Sequence, residues 1–395
     1  MPKSTSSRDP AQLVAREYSD FFRFFFKTPA KSRRVVFYGE HEGYYSYFEG
    51  IINELCRHNQ PVAYVTSDPE DPVFKTGNPL VTAFYQDKML PFFMWFVRSP
   101  VFVMTLTDLH KFHLKRSFFP VHYVYVFHAM VSVHQMYRPG AFDHYDSILC
   151  AGPHHVRELR HEEKMRSLKP RQLIEAGYYR LERIHRNYQE FQKSSRPDAP
   201  PTVLIAPSWG EKNIIESCGM ELSKILRGEN YKVIMRPHPE TVRRNPEILN
   251  KIQEQFKDDP NFQLERSVST DDSLLEADVL ICDMSGVALE YALGTLRRVL
   301  FINVPPKVKN PDFAKWIIEP LELELRPEIG VELAPENLQK VPDVVKDLMA
   351  SREEFKEKLE EIRNKTVFNL GSSSGISCDH IMKILNNYRD KGGNQ

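Results

Sequence analysis

Short runs of apolar, β-branched and aromatic residues recur along the chain with little polar interruption. They fall at Val35–Tyr38, Val62–Thr66, Val101–Thr105, His122–Phe127, Ser147–Ala151, Val203–Ala206, Lys232–Met235, Phe262–Leu264, Val279–Cys282 and Val299–Ile302. Runs this short and this apolar predict strands covered on both faces, as in a parallel sheet. Between them lie longer stretches with helical spacing, such as Phe48–His58, Val156–Arg166, Ile215–Leu226 and Val287–Leu293. The alternation predicts doubly wound α/β units. A polar, proline-rich segment at Lys193–Pro201 separates two halves of nearly equal length, and a fresh strand follows it at once. Beyond residue 345 the pattern is charged and helical (Val345–Lys365). A Gly/Ser segment, Gly371–Gly375, and a last helix, Cys378–Tyr388, come next, with Asp390–Gln395 expected to fray. The resulting expectation is an N-terminal domain over 1–192, a C-terminal domain over 202–365, and a segment 366–395 whose helix packs back on the first domain. A site is expected in the cleft between the two domains.

Composition narrows the function classes. Lys+Arg and Asp+Glu are equal at 53 each, which argues against a nucleic-acid partner, since that role needs a basic excess or face. The five cysteines (Cys56, Cys150, Cys218, Cys282, Cys378) form no CxxC pair and are odd in number, as expected of reduced thiols in the cytoplasm. The start of the chain lacks a signal-peptide h-region, and no apolar run reaches the ~18–20 residues of a membrane span.

The sharpest chemistry lies in the second half. In Ile281-Cys-Asp-Met-Ser-Gly-Val-Ala-Leu-Glu-Tyr291 a strand ends near Cys282, and Asp283, Ser285 and Gly286 turn the chain into a helix. Free amides at a helix N-terminus, a hydroxyl and a glycine suit a phosphate or pyrophosphate; an ordinary cap by Asp283 or Ser285 is the alternative. Arg236-Pro-His-Pro-Glu240 follows the strand Lys232–Met235, at the carboxyl end where open α/β sheets bind ligands. Its prolines stiffen the loop, so Arg236 and His238 are placed to meet a diphosphate or protonate a leaving phosphate, or the loop is merely rigid. Ala206-Pro-Ser-Trp209 also follows a strand: Ser208 suits a phosphate, and Trp209 a sugar or base, although packing accounts for such an aromatic equally well.

The first half is rich in histidine, with eight of the 14 between His110 and His155. His128 and His134 follow the strand His122–Phe127 at a spacing that fits a metal pair poorly, and no metal or cofactor is expected. A histidine at a strand's carboxyl end reads better as a general base, or as a structural residue. Asp143 or Asp146 downstream could orient it. Aromatics crowd Tyr18-Ser-Asp-Phe-Phe-Arg-Phe-Phe-Phe26, with Lys27, Lys31, Arg33 and Arg34 behind them, and Leu90–Val97 is similarly aromatic. Such stretches serve either as core helices or as a peripheral anchor on an anionic inner leaflet.

Taken in order, these motifs resemble the CDP-glycerol glycerophosphotransferase family, the teichoic-acid-type polyol-phosphate transferases. Ala206-Pro-Ser-Trp209 resembles its A-P-T-W segment, and Arg236-Pro-His-Pro239 its R-x-H-P. Ala277-Asp-Val-Leu-Ile-Cys-Asp-Met-Ser-Gly286 resembles S-D-x-L-I-T-D-Y-S-S, and Ala176-Gly-Tyr-Tyr-Arg180 resembles G-Y-P-R. The resemblance spans about residues 95 to 385. It implies an α/β, GT-B fold of two Rossmann-like doubly wound domains facing an interdomain cleft. It also implies transfer of glycerol or ribitol phosphate from a CDP-polyol donor to a hydroxyl of a lipid-linked or polysaccharide acceptor, with CMP released. His128 then stands where the family's base stands, and His238 where its donor-contacting histidine stands. Ser285 and the amides of Gly286 and Val287 hold the diphosphate. Three departures accompany the match: Ala129 replaces the glycine that usually follows the base, Gly286 replaces the second serine of D-Y-S-S, and Gly210 replaces an arginine after the tryptophan. The alternatives are a GT-B glycosyltransferase using a CMP- or UDP-linked sugar, and a membrane-peripheral scaffold without turnover.

Overall fold

The computed structural model describes residues 9–194, 200–267, 270–305, 310 and 313–390. The centre of the Lys193–Pro201 segment and the tail beyond Asp390 lie outside the described residues.

Two parallel sheets form the frame. The first holds β1 (Val35–Gly39), β2 (Val62–Thr66), β3 (Val81–Tyr85), β4 (Val101–Met104), β5 (His122–Val126), β6 (Ser147–Cys150) and β7 (Gln172–Glu175), in the order β3-β2-β1-β4-β5-β6-β7. The second holds β8 (Thr202–Ile205), β9 (Lys232–Met235), β10 (Phe262–Leu264), β11 (Val279–Cys282), β12 (Val299–Ile302) and β13 (Gly330–Leu333), in the order β10-β9-β8-β11-β12-β13. All pairings are parallel. Each order reverses direction once, between β1 and β4 and between β8 and β11. These are the switch points at which a doubly wound sheet opens a crevice for ligand.

Hydrophobic side chains cover both faces of each sheet, so the central strands carry no polar face. Four helices flank the first sheet and its exit: α1 (Pro10–Phe22), α2 (Tyr45–Arg57), α3 (Pro153–Met165) and α4 (Tyr179–Ser194). In the second half, α5 (Pro239–Arg244) and α6 (Val287–Thr295) leave β9 and β11. Further on, α7 (Val341–Ala350) and α8 (Arg352–Thr366) break at Ser351 where one continuous helical pattern is written.

The chain then returns to the first domain as α9 (Ser373–Asp390). Cys378, Ile381 and Leu385 join the core beside Phe48, Ile52 and Val101. The returning segment passes close to Gly177 (φ +100°), where a Cβ would lie 2.3 Å from the Phe368 carbonyl oxygen, so a side chain there would block the crossing. Among the described residues no helix is long and apolar enough to cross a membrane.

Candidate active site

The loops that leave the two switch points face each other. They enclose a cavity of about 420 Å³ lined from one domain by the segments after β1 and β5, and from the other by the segments after β8, β9 and β11. Eight residues marked in the sequence line it: His128, Ser208, Trp209, Arg236, His238, Ser285, Gly286 and Val287.

The proline-flanked loop after β9 does what its composition predicts. His238 caps α5, its Nδ1 accepting the Glu240 amide at 3.1 Å. An imidazole that accepts at Nδ1 carries its neutral-state proton on Nε2. Arg236 is buried (5% exposed), and its guanidinium donates to Ser273 Oγ at 3.1 Å and the Thr270 carbonyl at 2.8 Å. Burial lowers its pKa from the usual range, yet an arginine keeps its charge. Trp209 stands 6.1 Å from the His238 ring, with the Arg244 guanidinium 4.7 Å above its own ring and Glu240 holding Arg244 at 2.7 Å.

At the β11 end the residues divide. Asp283 turns inward (1% exposed) and accepts the Ser208 amide at 2.7 Å, stitching the β8 and β11 loops together behind the cavity. Burial pushes its carboxyl above the ordinary range. Ser285 and Gly286 turn outward. The Ser285 carbonyl accepts the Ala288 amide at 3.0 Å, and no side chain caps the helix start, where Gly286 and Val287 line the cleft.

Across the cavity His128 sits among Tyr44, Tyr47 and Tyr137, at ring distances of 5.8, 6.2 and 6.3 Å. His134 and Asp143 lie elsewhere. His134 (1% exposed) meets Glu158 through Nδ1 at 3.0 Å and the Ile318 carbonyl through Nε2 at 3.0 Å, and stacks on Trp316 at 5.1 Å. It fastens the His128 loop to the other domain. Asp143 pairs with Arg166 at 2.5 Å on the far side of that loop.

Tyr44, Tyr47 and Tyr137 line the cleft without having been singled out in the sequence, and Arg180 and Glu290 were quoted there only as members of longer motifs. Glu290 accepts Tyr178 Oη at 2.6 Å and Arg180 Nε at 3.0 Å, and Arg180 also meets Asp271 at 3.2 Å. The available signals were the position of Glu290 one helical turn after Gly286 and the tyrosine cluster directly after β1. Among the described residues no three metal-ligating side chains are grouped to hold an ion.

Two facing Rossmann-like domains with a cation-bearing cleft between them define the GT-B architecture. The chain belongs to the CDP-glycerol:poly(glycerophosphate) glycerophosphotransferase family, whose pattern matches residues 20–301. Two solved structures of a variant of the wall teichoic acid polymerase TagF, from CDPG soaks of 30 and 15 minutes, match with TM-scores of 0.61 and 0.59. Each is 15% identical, over 96% of this chain and 99% of that one. A glycosyltransferase from Rickettsia africae matches at 0.51, with 10% identity over 90% of this chain and 99% of the other. At such identities the likeness is one of fold. No curated protein matches the sequence.

Proposed function

We propose that this chain moves glycerol or ribitol phosphate from a CDP-polyol to a hydroxyl of a lipid-linked or polysaccharide acceptor in cell-surface polymer synthesis, at the inner face of the membrane. The observation that carries this reading is the opposition, across one cavity, of His128 in the segment after β5 to Arg236, His238, Ser285 and the amides of Gly286 and Val287 in the segments after β9 and β11. The acceptor oxygen bonds to the β-phosphorus while the bridging P–O bond breaks and CMP leaves with the bonding electrons. His128 takes the hydroxyl proton. Arg236, Nε2–H of His238 and the helix start hold the charge that gathers on the diphosphate, a demand met by positioning and electrostatics. Ser208 and Trp209 flank the nucleotide end, and Asp283 fixes the Ser208 loop from behind. His134 fixes the His128 loop, and Asp143, paired with Arg166, stays outside the chemistry.

Calorimetry with CDP-glycerol, CDP-ribitol, CMP and UDP tests the donor. His238→Ala is expected to weaken CDP-polyol binding about tenfold or more, the loss of a charge-assisted hydrogen bond. His128→Ala is expected to leave binding in place and lower turnover by about 10²–10⁴-fold. Preference for UDP over every CDP-polyol would move the reaction to sugar transfer. Full turnover in His128→Ala would remove it as the base.

A further inference from the structure

Aspartate is a favoured residue at the start of a helix, because its carboxylate accepts the free amides of the first turn. Asp271 holds that position before the short helix Asp272–Glu276, yet its side chain accepts none of them. The carboxylate turns instead to two arginines of α4, the last helix before the second sheet. Its Oδ1 meets Arg180 at 3.2 Å, and its Oδ2 accepts Arg183 Nη2 at 2.6 Å and Nε at 3.0 Å. Asp271 is buried and is not among the described residues lining the cavity. Two guanidinium groups share it, so its charge acts between elements rather than within one.

The turn that carries Asp271 is also where Arg236 is held. The Arg236 guanidinium donates to the Thr270 carbonyl and to Ser273 Oγ, one on each side of Asp271. In the other direction the two arginines reach α2. Arg180 Nη1 donates to Ser46 Oγ at 3.4 Å, its guanidinium stands 5.3 Å over the Tyr47 ring, and Arg183 meets Glu49 at 3.4 Å. One side chain therefore stands between the cation that faces the donor and the helix whose Tyr47 lines the opposite side of the cleft. Resting on the transferase reading above, we propose that Asp271 is a positioning residue: through Arg180 and Arg183 it sets the first domain, and with it His128, against the diphosphate held by Arg236. The groups that hold the donor all belong to the second domain and bind it without this tie. Transfer joins groups from both domains, so it is the step that needs the alignment.

The test uses the full chain with CDP-glycerol and, as acceptor, octyl glycerol phosphate. Asp271→Ala is expected to lower kcat for CMP release about 10²-fold, the scale of a displacement of about 1 Å, with CDP-glycerol affinity unchanged by calorimetry. In a His128→Ala background the same substitution is expected to cost little more, because it acts through the placement of His128, whereas independent losses multiply. Asp271→Asn, which keeps the shape and one acceptor oxygen, is expected to recover part of kcat. Should Asp271→Ala fail to fold, Arg183→Gln, which leaves Asp271 paired with Arg180, is read in the same way. If the wild type releases no CMP with this acceptor, hydrogen exchange decides: CDP-glycerol is expected to slow exchange of the α2 amides in the wild type and not in the variant. An unchanged kcat in a folded variant, a fall in CDP-glycerol affinity that accounts for the whole loss, full multiplication in the double variant, or equal slowing of α2 overturns the positioning role alone. No binding of CDP-glycerol by the wild type overturns the transferase reading beneath it.

Discussion

Gly286 shows how closely the two domains approach at the cleft. A Cβ placed there would lie 3.1 Å from Val131 Cγ1 and 3.5 Å from Ala129 Cβ, both on the loop that carries His128. The family pattern that this chain resembles has the reverse arrangement, with glycine after the base and serine at the helix start. The Ala129 distance is ordinary contact and the Val131 distance is tight, so a side chain at 286 meets Val131 first. Gly286→Ser is therefore expected to overpack that contact, at a cost of about 1–3 kcal/mol. Val131→Ala in the same chain is expected to return part of it, with a coupling of about 1 kcal/mol between the two sites. Melting midpoints and kcat/KM of the two single variants and the double variant measure this; strictly additive effects would refute the contact. Residue identity alone did not disclose it. Nor did it separate His128 from His134, six positions apart on one loop, because burial against Glu158 and Trp316 is decided by elements distant in the chain.

Among elements, legibility followed burial. The apolar runs at the centres of both sheets predict strands that the structure contains within a residue or two. Three strands went unmarked, β3, β7 and β13, and all three are edges; the fourth edge, β10, was marked at Phe262–Leu264. Their half-exposed positions mix polar and apolar residues, so no continuous apolar run marks them. The segment Ile215–Leu226, which reads as one helix, is divided at Cys218 (φ −148°, ψ 6°), a break that no proline announces. The last helix adds a testable feature. His380 on α9 and His122 on β5 both meet Ser147 Oγ, at 2.9 and 2.7 Å. Burial lowers both histidines, His380 to about 4. A histidine whose folded pKa lies below its unfolded value binds more protons when unfolded, so its contribution is complete above about pH 6.5 and is lost as pH falls toward 4. For His380 the loss by pH 5 is on the order of 2 kcal/mol, less any solvent screening. Urea melts of wild type and His380→Asn between pH 7.5 and 5 are expected to show a shallower acid slope in the variant. Parallel slopes would mean that the slope comes from other buried histidines, such as His154 and His155.

At the scale of the molecule, the aromatic stretches of the N-terminal domain are shared between core and surface. Phe24 and Phe93 are buried, and Phe21 and Phe25 pack against them. Their neighbours Phe22 and Phe26 stack on each other in solvent, and Phe92, Phe96 and Phe118 are exposed around Trp95, with Phe26 at 76% and Phe118 at 72%. Exposed Lys27, Lys31, Lys88 and Arg98 lie close to them in sequence. A water-soluble surface gains nothing from large apolar rings in that density, whereas a leaflet takes up the rings and an anionic one attracts the cations. A partition of one sequence pattern supports the proposed peripheral docking: Phe21, Phe24 and Phe25 hold the helix to the core, and Phe22 and Phe26 face outward. Full insertion of a phenylalanine is worth about 2 kcal/mol, so Phe26→Ser combined with Phe118→Ser is expected to weaken binding to phosphatidylglycerol vesicles at least about tenfold. Because both rings already face solvent, the melting midpoint and CMP release with a soluble acceptor are expected to stay unchanged. Sedimentation with anionic and with phosphatidylcholine vesicles, at low and high salt, separates the two contributions: the cations act only on the anionic membrane and fade with salt, while the rings act on both. Equal sedimentation of the double variant and the wild type would assign these rings no part in docking, and an unbound wild type would remove the membrane from the proposal altogether.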